Sequence, residues 1–195
     1  MRIALAALAA ALSFTLAPAA DAAGAPSRAA VVDAHRYDAE WFAAARAGRT
    51  DILQALHAAH YPLETRTPEG YTALILAAYD GHPAALHYLL AAGANPCAAD
   101  RNGNTALMGA LFKGETAIAR TLMRTDCKID QTNNAGETAL SFAALFGRLH
   151  LLHDLVARGA DPNHIDARGG TALRMALAQG NTPAAVALRQ VGATR

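Results

Sequence analysis

The chain has 195 residues, 53% hydrophobic and 17% charged, which allows one domain or at most two and argues against intrinsic disorder. Its 17 Lys and Arg stand against 16 Asp and Glu, with no basic block and no acidic tail. That balance argues against a general nucleic-acid binder, because neutralising phosphates needs clustered surplus cations. Alanine supplies 51 residues, which suits close approach of helix backbones rather than a core of large side chains.

Residues 1–23 read as a secretory signal. Met1 and Arg2 give a short positive start, Ile3 to Leu16 is an apolar run, and small residues follow from Ala17 to Ala23. The run falls short of the ~20 residues a membrane-spanning helix needs, and no later segment reaches about 18 uninterrupted apolar residues. Cleavage is expected after Ala19 or Ala22, leaving an exported protein with no membrane insertion. Gly24 to Tyr37, rich in Ala with Pro and Ser and without a clear period, is assigned as a linker without structure.

From residue 38 on the chain repeats itself. Thr-Ala-Leu recurs at Thr72, Thr105, Thr138 and Thr171, in steps of 33, and a glycine follows nine residues later at Gly81, Gly114, Gly147 and Gly180. Gly70, Gly103, Gly136 and Gly169 precede each threonine by two, and Ala77, Ala110, Ala143 and Ala176 keep the same register. Such a fixed period signals a solenoid of stacked units. The units are 67–99, 100–132, 133–165 and 166–195, with a degenerate first one at 38–66, where Ala44, Gly48 and Leu56 fall on the frame.

One unit can be read physically. Thr72 to about Tyr79 carries Ala73, Leu74, Ala77 and Ala78 at helical spacing, and Gly81 ends the helix. Pro83 suits the first turn of a second helix, whose Ala85, Leu86, Leu89 and Leu90 form one apolar stripe before Gly93 stops it. Pro96, Asp100 and Asn102-Gly103 then predict a turn. A helix pair of this size leaves an apolar face that only a neighbouring unit can cover, so an all-α stack is expected.

These features resemble the ankyrin repeat, with its 33-residue period and Thr-Pro-Leu-His-x-Ala signature. The resemblance covers about Asp38 to Arg195 as four clear repeats behind an N-terminal cap carrying Trp41, Phe42 and Arg46. The family's Gly-Ala-Asp-x-Asn ending is met at Gly93-Ala94-Asn95-Pro96-Cys97 and at Gly159-Ala160-Asp161-Pro162-Asn163. The signature Pro is Ala throughout, and its His is Ile75, Met108, Ser141 and Arg174, so the usual threonine–histidine bonds are lost or replaced. Asp126-Cys127 stand where Gly-Ala is expected.

No nucleophile elbow, P-loop, dinucleotide fingerprint or H-E-x-x-H pattern occurs, and Ser141 is the only serine in the repeats. His150, His153 and Asp154 have a metal-compatible spacing on a second helix, as His57 and His60 do in part, but they align with the solvent face beside His87 and Arg120. No metal, cofactor or catalytic residue is therefore assigned. Cys97 and Cys127 lie in successive units, three frame positions apart. Two cysteines in an exported chain invite a bridge, but a disulfide needs Cα atoms within about 7 Å while packed helices sit about 10 Å apart, so two unbridged small residues are the default expectation and a bridge the alternative.

What the resemblance implies is a binding surface. The family's variable positions, at the turn tips and the end of each first helix, face one concave side. Here they include Pro68, Glu69, Tyr71, Tyr79 and Asp80, then Arg101, Asn102, Asn104, Phe112 and Lys113. The next units contribute Asn134, Ala135, Glu137, Leu145 and Phe146, then Ala167, Arg168, Gly170, Ala178 and Gln179. Four of these 20 positions are aromatic, against 7 of the other 175, and aromatic and Arg side chains dominate interface hot spots. Packing of Phe112 and Phe146 against neighbouring units is the competing reading. The expected role is a non-catalytic protein-binding module in a bacterial periplasm, by resemblance an accessory to a stress-defence enzyme. A secreted effector acting on host proteins and a metal- or Cys/His-dependent enzyme are the alternatives. A monomer is expected, and the apolar last helix, with Val186, Leu188 and Val191, also leaves end-to-end self-association open.

Overall fold

The computed structural model describes residues 35–195, so the signal and nearly all of the linker lie outside the described residues. His35–Tyr37 form a single 3-10 turn, which corrects the end of the structureless linker. Five helix pairs follow: α1 (Asp38–Arg46) with α2 (Thr50–Ala58), α3 (Ala73–Tyr79) with α4 (Pro83–Ala91), and α5 (Ala106–Lys113) with α6 (Thr116–Leu122). The last two are α7 (Ala139–Leu145) with α8 (Leu152–Ala157), and α9 (Ala172–Ala178) with α10 (Thr182–Gln190). A 3-10 turn at Leu149–Leu151 takes the place of the first turn of α8. Among the described residues the one β pairing is an antiparallel bridge between Ala99 and Thr105.

The inner helices α3, α5, α7 and α9 start the same way, whereas α1 has no side-chain cap. The hydroxyls of Thr72, Thr105, Thr138 and Thr171 accept the N–H groups of Ile75, Met108, Ser141 and Arg174, which satisfies one orphan donor per helix. The residues that replace the family's histidine differ, and the exposed Arg174 donates from Nη1 to the Gly169 carbonyl at 3.0 Å. Ile75 and Met108 are buried apolar fillers, whereas Ser141 returns a bond by accepting the Thr138 N–H at 2.8 Å and closes a capping box.

The inner helices α1, α3, α5, α7 and α9 pack in one row, each against the next. Ala77, Ala110 and Ala143 are fully buried in that row, where any larger side chain would force the helices apart. Between units the turns form a ladder: the N–H groups of Arg101, Asn134 and Ala167 donate to the carbonyls of Glu69, Asn102 and Ala135 at 2.9, 2.9 and 3.0 Å. Gly136 is required there twice over. Its φ is +76°, and a Cβ would stand 2.5 Å from the Ala167 nitrogen. At the N-terminal end Trp41 is fully buried, its ring 4.9 Å from that of Tyr61.

The outer-helix exits show one departure. Gly93, Gly159 and Gly192 take φ of +95°, +94° and +99°, and the alanine after each donates its N–H five residues back, to Leu89, Leu155 and Leu188. His60 holds the same left-handed position at φ +65°, with the Tyr61 N–H closing onto Leu56. At Asp126 this closure is absent. The chain instead turns through Thr125, whose N–H and hydroxyl both donate to the Leu122 carbonyl, and Cys127 is joined to Cys97 with Cα atoms 5.4 Å apart. This overturns the expectation of unbridged cysteines. The 10 Å spacing applies to helices, whereas both cysteines stand on loops, and the missing Gly-Ala exit lets Cys127 leave the frame toward the loop after α4.

Candidate functional site

The concave side is built from the turn tips and the C-terminal halves of the inner helices. Asp100 Oδ1 accepts the N–H groups of Asn102 and Asn104, both at 2.8 Å, which fixes the second turn. Asn133 does the same for Ala135 and Glu137 and donates from Nδ2 to Asn104 Oδ1 at 3.0 Å and to Glu137 Oε2 at 2.9 Å. Glu137 lies 3.9 Å from the exposed Arg168. Asn104, Glu137 and Arg168 thus belong to one polar chain along the turns.

Beside that chain runs a row of rings. Tyr79 and Phe112 stack with centroids 5.7 Å apart, Phe112 meets Phe146 edge-on at 4.7 Å, and Phe146 lies 5.6 Å from Phe142. The frame position after Tyr79 and Phe112 is Leu145, an exposed side chain, so the row passes one residue on to Phe146. Phe112 is itself 40% exposed: it packs against its neighbours and still presents a face. The cation on this row is Lys113, with Nζ 4.9 Å from the Tyr79 ring centroid. Arg101 and Asn102 are exposed at the second tip, where the Arg101 side chain lies against Gly70. Glu69 is exposed at the first tip, and a hydrogen bond with the Thr67 side chain holds its carboxyl below the usual range. Asp80, half-buried, ends α3.

Between the rings and the polar chain the surface opens into a groove of about 280 Å³, reaching Tyr71, Ile75, Asp100 and Thr105. Three tighter hollows elsewhere hold 10 to 20 Å³ each. Sequence reasoning missed the groove's maker. Gly109 sits on α5 at the frame position of Leu76, Phe142 and Met175, and the missing side chain leaves the space open. A small residue at a position that is otherwise large was the available signal. Phe142, Ile75 and Asp100 were missed with it, since none stands at a variable position of the family pattern.

His57 and His150 have partners nearby. His150 meets the Thr116 hydroxyl at 3.2 Å, Asp154 accepts from Arg120 at 2.9 Å, and His57 Nδ1 lies 2.8 Å from the Tyr88 hydroxyl. His87, His150 and His153 are exposed on the outer face. Among the described residues no group of His, Cys, Asp and Glu has the geometry to hold a metal ion. No described helix is long and apolar enough to cross a membrane.

A family profile described as ankyrin repeats (3 copies) matches residues 41–133, and a second, described as ankyrin repeats (many copies), matches residues 140–189. The chain belongs to the ankyrin repeat family, and its repeats mark it as a protein–protein interaction module. A comparison with curated proteins returns no match.

Proposed function

We propose that the protein is exported to the bacterial periplasm and works there, without catalysis, by holding a partner protein against its concave side. The observation that carries the reading is the ring row Tyr79–Phe112–Phe146, which crosses three units and keeps part of its apolar surface open to solvent. The Cys97–Cys127 bridge supports export, because disulfides persist in oxidising compartments and are rare in the cytosol. Residues 1–23 supply the expected signal, with a mature N-terminus between Ala20 and Gly24. An accessory role beside a stress-defence enzyme fits a small exported adaptor. The protein is proposed to act as a monomer, with the exposed Leu177 and Val186 of the last unit as the surface for any self-association.

The test is affinity capture from a periplasmic extract with wild type, Tyr79→Ala, Phe112→Ala and His87→Ala. Truncating either ring is expected to weaken the captured complex by about 2 kcal/mol, roughly thirtyfold, while the outer-face change leaves it intact. Loss with His87→Ala alone, or equal capture by all four, would contradict the reading.

A further inference from the structure

We propose that the groove at Gly109 is a receptor for one aromatic side chain of the partner, carried on an extended segment between a basic and an acidic residue. The proposal rests on the concave-face reading and gives it a recognition element. Its first support is Gly109 itself. Glycine is a poor helix residue, usually kept where φ is positive or a backbone comes close, and neither holds here. Gly109 lies inside α5, and a Cβ on it would make only ordinary contact, 3.6 Å from the Tyr79 ring. Neither conformation nor packing asks for glycine, and what a side chain would remove is the groove.

The second support is the shape and chemistry of the space. Five rings, those of Tyr71, Tyr79, Phe112, Phe142 and Phe146, line a volume of about 280 Å³. That is just under the usual range of ligand pockets, roughly 300–1,000 Å³, and suits a single bulky side chain. Rings on several sides offer edge and face contacts to another ring.

The third support is charge. At the turn end stands Asp100, whose Oδ2 receives only a 3.3 Å contact from Asn104. At the other end the Lys113 ammonium lies over Tyr79. The 8 residues of α5, which ends on Lys113, run about 12 Å, the reach of three to four extended residues, and Asp100 lies on the turn ahead of its start. A segment ordered as base, aromatic, acid places its base by Asp100, its ring in the groove and its acid by Lys113.

The probe is a capped lysine-tryptophan-glutamate tripeptide, followed by saturation-transfer NMR on the full-length protein. Wild type is expected to transfer saturation to the indole protons and not to the side chain of an alanine-for-tryptophan analogue. Gly109→Leu is expected to keep or raise the melting temperature, since Leu76 fills the same frame position, and to weaken the tripeptide at least tenfold. Asp100→Asn keeps the turn, as Asn133 does in the next unit, and is expected to cost the lysine-bearing peptide about threefold while leaving a glycine-tryptophan-glutamate peptide unchanged. No transfer to the tryptophan peptide, or equal affinity in Gly109→Leu, overturns the receptor; equal weakening of both peptides by Asp100→Asn overturns the charge assignment. If Gly109→Leu retains a captured partner that Tyr79→Ala and Phe112→Ala lose, the concave face stands and the groove proposal falls. Retention by all three variants removes the face itself.

Discussion

From Tyr71 to Phe146 the concave side carries all four aromatic variable positions and the groove, whereas one unit further the corresponding positions are Gly170, Ala178 and Gln179. The backbone hardly changes between these regions: Thr171 caps α9 as Thr105 caps α5, and the Ala167 N–H joins the turn ladder as Asn134 does. A second contrast lies beneath the surface. Ala78, Leu111 and Ala144 are buried under the following unit, while Leu177 at the same frame position is 51% exposed. The repeated residues therefore fix the scaffold, and the residues that escape the repeat make its stretches differ in surface. On the proposed reading, binding on this continuous solenoid is local.

The largest effect separates buried alanines from exposed ones. Ala143→Asp puts a charge into a fully closed helix contact and is expected to cost about 3–5 kcal/mol in thermal unfolding, whereas Ala178→Asp on the bare last unit should stay within about 0.5 kcal/mol. Similar losses from both would break the contrast.

Next comes the bridge that pins the ringed half. Its ends are 30 residues apart, so replacing both Cys97 and Cys127 by alanine is expected to cost about 3 kcal/mol and to make a reducing agent irrelevant to the melting curve. Unchanged unfolding would mean that the irregular exit at Asp126 holds without it.

A smaller gain is expected at the first unit. His60 occupies a left-handed conformation that glycine fills at three other exits, and His60→Gly should stabilise by about 1 kcal/mol. The smallest effect is in the last turn. The Gly170 N–H, and after it that of Arg168, hold the Asp166 carboxyl below the ordinary carboxylate range. A depressed carboxyl stabilises above its unfolded value, near pH 4, and loses that contribution as pH falls through its folded value. Asp166→Asn should accordingly flatten the acid limb of the stability curve below about pH 4, with a change under about 1 kcal/mol at pH 7.

The scaffold was legible because its signals are local. A threonine cap, a glycine nine residues on and a proline at the next helix start each act within a turn or two, and α3, α4 and α5 start and end close to where those residues placed them. The bridge was not legible, since it depends on how the loop around Asp126 departs from the frame, and spacing on the frame pointed the other way. The 3-10 turn at Leu149–Leu151 likewise carries a helix-like sequence, because its apolar spacing continues into α8. Tyr79, Phe112 and Phe146 were singled out as variable positions, but their joining into one row needs the stacking distance between units. Gly109 carried its signal only as an absence, a small residue among large frame partners.

The most direct test of local binding on a uniform scaffold is hydrogen exchange with and without the captured partner. Protection is expected at the turn tips 68–71, 101–104 and 134–137 and along α5, with α4, α6 and the last unit's tip at 167–170 unchanged. Protection confined to the outer helices, or spread evenly over all the tips, would contradict it.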